Sequence, residues 1–285
     1  MRALVGRRSQ ILWCSQRHLS TSRARLQPSS PNGGVGDEPT SISPRWLTDI
    51  KARVGKCISF GMPPKLVDEA STVLQELGAN WRDLVIGSEG FVTEPRRAGL
   101  DRVPIQWGDQ DSMGHVNNVQ YVRWCETGRT NWTRNYGKYF DIANRQKWNE
   151  LLTSRAVGLI LKSIKVEYKF PMTWPDKISV YHKLRDRPTQ STDSMILDVM
   201  ILSEAKQRPA ARALEDCVVY DYQKSKKSSL PPFMLKQFKQ TFELQESAKR
   251  KNRERIQSIE EKVRWLETQC WDRADAKEDF GSSFP

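Results

Sequence analysis

Residues 107–118 read Trp107-Gly108-Asp109-Gln110-Asp111-Ser112-Met113-Gly114-His115-Val116-Asn117-Asn118 and form the densest group of chemically active residues in the chain. Two carboxylates, a histidine and two asparagines lie just before a stretch with helical spacing. The backbone N–H groups at a helix N-terminus can hold negative charge that develops on an oxygen. A carboxylate beside them can attack a carbonyl or deprotonate water. The stretch therefore favours acyl transfer or hydrolysis.

The same residues have structural interpretations as well. Asp109, Asp111 and Asn117 are residue types that cap helices and turns. Asp109 and Asp111 with His115 could also hold a metal ion, but no further ligands are evident, so we expect none. A Ser-His-Asp triad stays open, although the chain has no GxSxG motif. It also has no GxxxxGK[ST] or GxGxxG motif, which leaves nucleotide binding without support.

A long helix is predicted from about Asn117 to Tyr136. Five residues at spacings of three and four form one stripe along it: Tyr121, Cys125, Gly128, Trp132 and Tyr136. The small side chains of Cys125 and Gly128 would let another element approach closely. The stripe therefore indicates a helix that is enclosed by other structure.

Four strands are predicted after this helix, because apolar and polar residues alternate in each. They cover residues 163–170, 177–184, 194–203 and 211–222. His182 shares a face with Ile178 and Val180, so we expect it to pack in the core. One long helix followed by an antiparallel meander predicts an α+β domain.

The stretch WGDQDSMGHVNN, followed by Tyr121, Trp124 and Glu126, resembles the hotdog-fold thioesterases of the 4-hydroxybenzoyl-CoA thioesterase type. The resemblance covers roughly residues 89–222. Their order of a strand, a long central helix and a meander that wraps it is the order that the periodicity predicts here. The resemblance implies a hotdog fold in which an antiparallel sheet wraps around a long central helix.

The resemblance also implies catalytic roles. Asp111 matches the catalytic carboxylate, which would act on a thioester carbonyl as nucleophile or general base. Gly114 and His115 lie where backbone amides would polarise that carbonyl. Asp109 is expected to brace the turn.

Binding roles and partners follow from the same resemblance. The expected substrate-binding residues are Asn117, Asn118, Tyr121 and Glu126, the last acting from the helix or from a neighbouring subunit. The substrate would be an acyl-CoA, with coenzyme A as part of the substrate and no separate cofactor. The site would lie at a subunit interface, which implies a homodimer or homotetramer.

Residues 1–36 contain six arginines, no lysine and no acidic residue. With interspersed serines and apolar residues, this composition predicts a mitochondrial transit peptide, and Arg17-His18-Leu19-Ser20-Thr21 resembles a matrix-protease site. A merely basic tail is the alternative. Residues 37–44 would complete a Pro- and Gly-rich linker. We therefore expect location in the mitochondrial matrix.

Helical extensions are predicted on both sides of the domain at 89–223. In 45–88, one short helix covers Arg45–Val54, and a second follows Pro63-Pro64 with Gly78 as a plausible stop. In 224–285, a charged helix is predicted over 234–278 after the break at Pro231-Pro232. Residues 249–255 of this extension carry a run of basic side chains.

Composition excludes several protein classes. No apolar stretch is long enough to cross a membrane. The five cysteines form no CxxC pair, which disfavours a disulfide scaffold and a cysteine zinc site. Residues 1–36 contribute half of the net charge of +12, and residues 224–285 contribute most of the rest. The charge therefore does not indicate a uniformly basic domain.

Two functions are compatible with the sequence. The first is an acyl-CoA thioesterase. The second is a non-catalytic hotdog protein that serves as an interaction module of a mitochondrial ribonucleoprotein, such as the ribosome, and contacts it through 224–285. Basic runs bind phosphates without reading sequence, but a solvated helix face would have the same composition.

Overall fold

The structure is a computed structural model, and it describes residues 42, 43 and 45–276. The predicted transit peptide at 1–36 lies outside these residues, as does the linker apart from Ile42 and Ser43. The helices are α1 (Trp46–Ser59), α2 (Pro64–Val85), α3 (Asn118–Asn135), α4 (Arg145–Glu150) and α5 (Pro232–Cys270). The strands are β1 (Leu100–Pro104), β2 (Val157–Tyr168), β3 (Lys177–Leu184), β4 (Ser194–Ser203), β5 (Arg208–Asp221) and β6 (Lys226–Lys227).

The strands form one antiparallel sheet in the order β1-β3-β4-β5-β2, with β6 paired to the end of β5. The prediction of four strands in simple succession is wrong at β2, which pairs with β5 and lies at one edge. The connection from β2 to β3 leaves the sheet, because Pro171 and Pro175 break the strand pattern. There the Met172 carbonyl accepts the N–H of Val116, 2.8 Å away, just before α3. Strands β3, β4 and β5 form a meander, which the short β6 continues beside the end of β5.

Helix α3 packs on one face of this sheet. The apolar residues that alternate along β3, β4 and β5 form two core clusters with it, one around Tyr121 and Trp124 and one around Trp132 and Tyr136. At Gly128 the helix comes close to the sheet, because an added Cβ would lie 2.9 Å from His182 Cε1 and would meet Val180. The predicted α+β hotdog fold, with the sheet around a central helix, is confirmed.

The extensions pack against the other face of the sheet and along its end. On β3, Ser179 and Tyr181 alternate with the inward residues. Ser179 donates to Glu204, which pairs with Arg82 of α2. Tyr181 is fully buried, and burial raises its pKa. Helices α2 and α5 therefore cover surface that would otherwise be exposed.

Helix α5 joins the hotdog core to the N-terminal helices. Its first turns place Met234 and Phe238 in the core cluster with Trp132, so the boundary predicted at 223/224 separates residues that pack together. Further along, the Gln245 amide bonds the N–H and the carbonyl of Leu184 at the end of β3. The last turns lie against α1.

Several helix bounds differ from the predicted ones. Helix α1 extends to Ser59, and α5 runs from Pro232 to Cys270. Gly78 does not stop α2, which continues to Val85 through a kink at Asn80. Its apolar face, with Leu77, Trp81 and Leu84, continues past the glycine, and packing of that face outweighs the low helix propensity of one glycine. Among the described residues, no helix is both long and apolar enough to cross a membrane.

Candidate active site

Asp109 braces the loop between β1 and α3. One of its carboxylate oxygens accepts the N–H of Gln106 at 2.8 Å, and the other accepts the Gln120 amide at 3.0 Å. Its carbonyl accepts the N–H of Asn117 at 2.9 Å. Asp109 thus fixes both ends of the loop, in agreement with the bracing role expected for it.

Asp111 lies at the exposed tip of the same loop. Its Oδ1 accepts the N–H groups of Met113 and His115, at 2.8 and 3.3 Å. Its own N–H donates to the His115 carbonyl at 2.7 Å, and Gly114 closes the turn at a φ of +73°, which suits glycine. Oδ2 accepts no hydrogen bond from the residues that the structure describes. The carboxylate is therefore held by one oxygen while the other stays available.

The amides of Gly114 and His115 already have partners within the loop. Gly114 donates to the Asp111 carbonyl at 3.0 Å, and His115 donates to the Asp111 carboxylate. Either amide would have to exchange partners before it could polarise a substrate carbonyl. The side chain of His115 is half-buried, and its role stays a prediction.

The first turn of α3 offers another donor, of the kind that the sequence predicts at the N-terminus of this helix. Asn117 caps the helix, because its Oδ1 accepts the N–H of Val119 at 3.0 Å and its carbonyl accepts that of Gln120. The N–H of Asn118, the first helical residue, has no intrahelical acceptor by position. Asn118 is exposed in the single chain.

Two predicted binding residues lie elsewhere. Tyr121 is a core residue, 2 % exposed, which packs against Trp124 and Tyr168 and accepts the N–H of Met172 at 3.4 Å. Glu126 is exposed, about 12 Å along the helix axis from Asn118. A single chain therefore does not bring these side chains to Asp111.

Apolar side chains surround the loop at the surface. Trp107 and Met113 are about three-quarters exposed, and Val119 and Val122 continue the patch along α3. Trp174, in the connection after β2, is half-exposed. Exposed apolar surface of this extent is typical of a binding or subunit-contact region.

A buried charged cluster lies on the inner face and was missed from the sequence. Glu215 of β5 is fully buried, pairs with Arg129 of α3, and has its Oε2 3.6 Å from His182 Nε2. His182 stacks on Trp132 and is in the core, as expected. Burial near Glu215 raises the pKa of Cys125 and Cys217 to about 12, so these thiols stay protonated. The one sequence signal was an acidic residue at an inward position of the alternating strand 211–222.

No group of three or more His, Cys, Asp or Glu side chains suitable for a metal ion occurs in the described part of the chain. Asp109 and Asp111 each bond backbone groups of their own loop. The loop thus uses its carboxylates to hold its own conformation.

Comparison with known proteins gives a family match for part of the chain. Residues 105–238 match the model of the thioesterase-like superfamily. No curated protein matches the chain. Two solved structures with similarity are a Thermus thermophilus thioesterase complexed with coenzyme A and Zn and the DHNA-CoA thioesterase of Staphylococcus aureus.

The Thermus thermophilus enzyme is 18 % identical with a TM-score of 0.39, over 54 % of this chain and 97 % of the other. The Staphylococcus aureus enzyme is 14 % identical with a TM-score of 0.38, over 56 % and 91 %. Identities and TM-scores this low carry no argument about function. The fold rests on the observed topology, and the similarity to a family rests on the match of residues 105–238. The chain therefore has a hotdog fold, and residues 105–238 of it match the thioesterase-like superfamily.

Proposed function

We propose that the protein is an acyl-CoA thioesterase that hydrolyses the thioester to a free acid and coenzyme A. The observation that carries the proposal is the Asp111 carboxylate, which is held by Oδ1 at an exposed loop that leads into the central helix. The match of residues 105–238 to a thioesterase-like family supports the reaction class.

In the proposed reaction, Asp111 acts on the thioester carbonyl through Oδ2. As a general base it takes a proton from water, which adds to the carbonyl carbon; as a nucleophile it forms an acyl anhydride that water then opens. In both routes the tetrahedral intermediate collapses, the carbon–sulfur bond breaks, and the coenzyme A thiolate takes up a proton. The N–H of Asn118 would hold the negative oxygen.

We further propose that a second copy of the chain completes the site, as a homodimer or homotetramer. The loop is exposed in a single chain, β2 leaves one strand edge of the sheet open, and Val119 and Val122 present apolar surface beside the loop. Pairing of copies would bring the partner's Glu126 or apolar surface towards Asp111. Exposed edges and apolar patches of this kind favour association.

The proposed location is the mitochondrial matrix, on the strength of the arginine-rich, acid-free residues 1–36. Fusion of residues 1–36 to a fluorescent reporter tests it. Import of the reporter supports the proposal, and a diffuse cytosolic signal contradicts it. Arginine-to-glutamine replacements in the same segment serve as the control for import that depends on charge.

A panel of short, long and aromatic acyl-CoA substrates tests activity and acyl preference together. The readout is release of the coenzyme A thiol by the full-length oligomer. We expect turnover of at least one class well above spontaneous hydrolysis. The absence of turnover across the panel by folded, oligomeric protein contradicts the proposal.

The second candidate is a hotdog interaction module of a mitochondrial ribonucleoprotein. Exposed Arg250 and Lys251 on α5 favour it, whereas Arg253 and Arg255 of the same run bond Ser88 and Glu76 within the chain. This candidate predicts salt-sensitive co-sedimentation with a large RNA-containing assembly. The matched variant Arg250→Gln with Lys251→Gln should abolish it, and a free oligomer at low salt contradicts it.

A further inference from the structure

Helices α1 and α5 meet side by side near their C-terminal ends. Arg53 of α1 makes two hydrogen bonds of 2.8 Å to the carboxylate of Glu267 on α5. About one turn further along both helices, Lys56 Nζ lies 3.3 Å from the centroid of the Trp271 ring. Residue numbers rise together across the contact, so the two helices run parallel here.

Cys57 and Cys270 lie beside the second of these contacts, directly after Lys56 and directly before Trp271. Both are buried free cysteines, at 0 and 3 % exposure. Each lies on the buried face of its helix, so the contact between α1 and α5 brings the two thiols together. The two cysteines are distant in sequence and form no local motif, so the sequence alone gives no sign that they meet.

We propose that Cys57 and Cys270 form a reversible disulfide that joins the N-terminal extension to the end of α5. The required oxidant is a low-molecular-weight disulfide of the glutathione type. The Cys270 thiolate attacks one sulfur of this oxidant, forms a mixed disulfide and releases one thiol. The Cys57 thiolate then attacks the Cys270 sulfur, which forms the internal bond and releases the second thiol.

The groups around the two thiols indicate which of them attacks the oxidant first. Burial raises the pKa of Cys270, and the neighbouring Cys57 and Arg273 offset part of this rise. Burial and the neighbouring Cys270 raise the pKa of Cys57 to about 11. Cys270 is therefore the attacking thiol, and it is also the last residue of α5, where a helix frays first.

The bond would close a loop that includes the whole hotdog domain. Cross-links over long loops stabilise a protein chiefly by restricting its unfolded chain. In the structure, where both thiols are free, α1 is held to α5 by non-covalent contacts such as the Arg53–Glu267 ion pair. Oxidation would make the attachment of α1 covalent, and reduction would return it to these non-covalent contacts.

The test equilibrates the full-length protein with glutathione disulfide and glutathione at a fixed ratio, followed by alkylation, digestion and mass spectrometry. We expect a cross-linked Cys57–Cys270 peptide and a rise in Tm of about 5 °C or more. Dithiothreitol should reverse both.

Matched variants separate this bond from other oxidation. Cys57→Ser and Cys270→Ser should each lose the cross-link and the rise in Tm, while Cys125→Ser and Cys217→Ser should keep both. Free alkylation of Cys57 and Cys270 at equilibrium overturns the proposal. A dominant disulfide that involves Cys14, or a rise in Tm that persists in Cys57→Ser, overturns it as well.

Discussion

The charged cluster between α3 and the sheet gives the sharpest expectation for a single residue. Arg129 is the cation paired with the fully buried Glu215, and neither nitrogen of His182 has a hydrogen-bond partner among the described residues. Arg129→Leu would leave the Glu215 charge buried and unpaired. We expect a loss of about 3–5 kcal/mol in the free energy of unfolding, measured by urea denaturation.

Removal of the second charge provides the control for this prediction. The double variant Arg129→Leu with Glu215→Gln carries no buried anion, so it should recover much of the lost stability. Equal stability of the single variant and the wild type would contradict the view that Glu215 needs this partner.

Glycine at position 128 permits the close approach of α3 to the sheet. In Gly128→Ala, the new Cβ would lie 2.9 Å from His182 Cε1 and 3.0 Å from Val180 Cγ1. We expect destabilisation by about 1–3 kcal/mol, since overpacking outweighs the gain in helix propensity. Gly78→Ala in α2, which meets nothing within 4 Å, should instead stabilise by about 0.5–1 kcal/mol. Thermal unfolding of the two variants should shift in opposite directions.

At the scale of elements, the Arg53–Glu267 pair fixes α1 to α5. Arg53 lowers the pKa of Glu267, which is almost fully buried, whereas Arg53 itself is one-third exposed. A lowered pKa in the folded state gives stability above the unfolded value of about 4.3, and this stability is lost as the pH falls through the folded value. Arg53→Gln should therefore cost about 1–2 kcal/mol at pH 7 and little at pH 2.

The matched control for this pair is an ion pair at the surface. Arg187 and Glu243 are both about 62 % exposed, so Arg187→Gln should change stability by less than about 0.5 kcal/mol at either pH. Urea titrations of both variants at the two pH values provide the comparison. An Arg53→Gln effect that is independent of pH would contradict the proposed contribution of Glu267.

Periodicity in the sequence predicted most of the helices and strands. It failed for features that tertiary contacts determine, such as which strands pair. The stripe from Tyr121 to Tyr136 predicted α3, and alternation predicted the regions of β2 to β5. The pairing of β2 with β5 could not be predicted, because a period of two fixes which face is buried but not which strand is the neighbour. The short α4 and the π-helical turn at Tyr136–Phe140 carry no such periodic signal.

At the scale of the whole molecule, the exposed apolar patch of Val119 and Val122 on α3 is the proposed contact between copies. Val122 is 36 % exposed in this patch, and Leu74 on helix α2 is exposed to the same degree. Val122→Lys should convert the oligomer to a monomer in light-scattering chromatography and reduce hydrolysis with it, since a partner would complete the site. Leu74→Lys should leave both unchanged. A dimeric Val122→Lys protein would contradict this surface assignment.

The candidate site was predictable only in part at this scale. The motif predicted the capped loop with Asp109 and Asp111, because turn and cap residues act locally. The helical stripe placed Tyr121 on the enclosed face of α3, whereas the resemblance assigned it to substrate binding, and the structure has it in the core. The motif did not predict that Glu126 lies two turns from the loop, because this depends on how α3 packs and on a second chain. The Cys57–Cys270 contact was unpredictable for the same reason.

The central claim is that Asp111 performs thioester hydrolysis, and Asp111→Asn tests it most directly. Asparagine keeps an Oδ1 that can accept the N–H groups of Met113 and His115, so the loop should persist. The measurement is the rate of coenzyme A release from the best acyl-CoA substrate by wild type and variant, with Tm as the check on folding. We predict a fall of about 100- to 10,000-fold with an unchanged Tm. Full activity in a folded Asp111→Asn variant would contradict the claim.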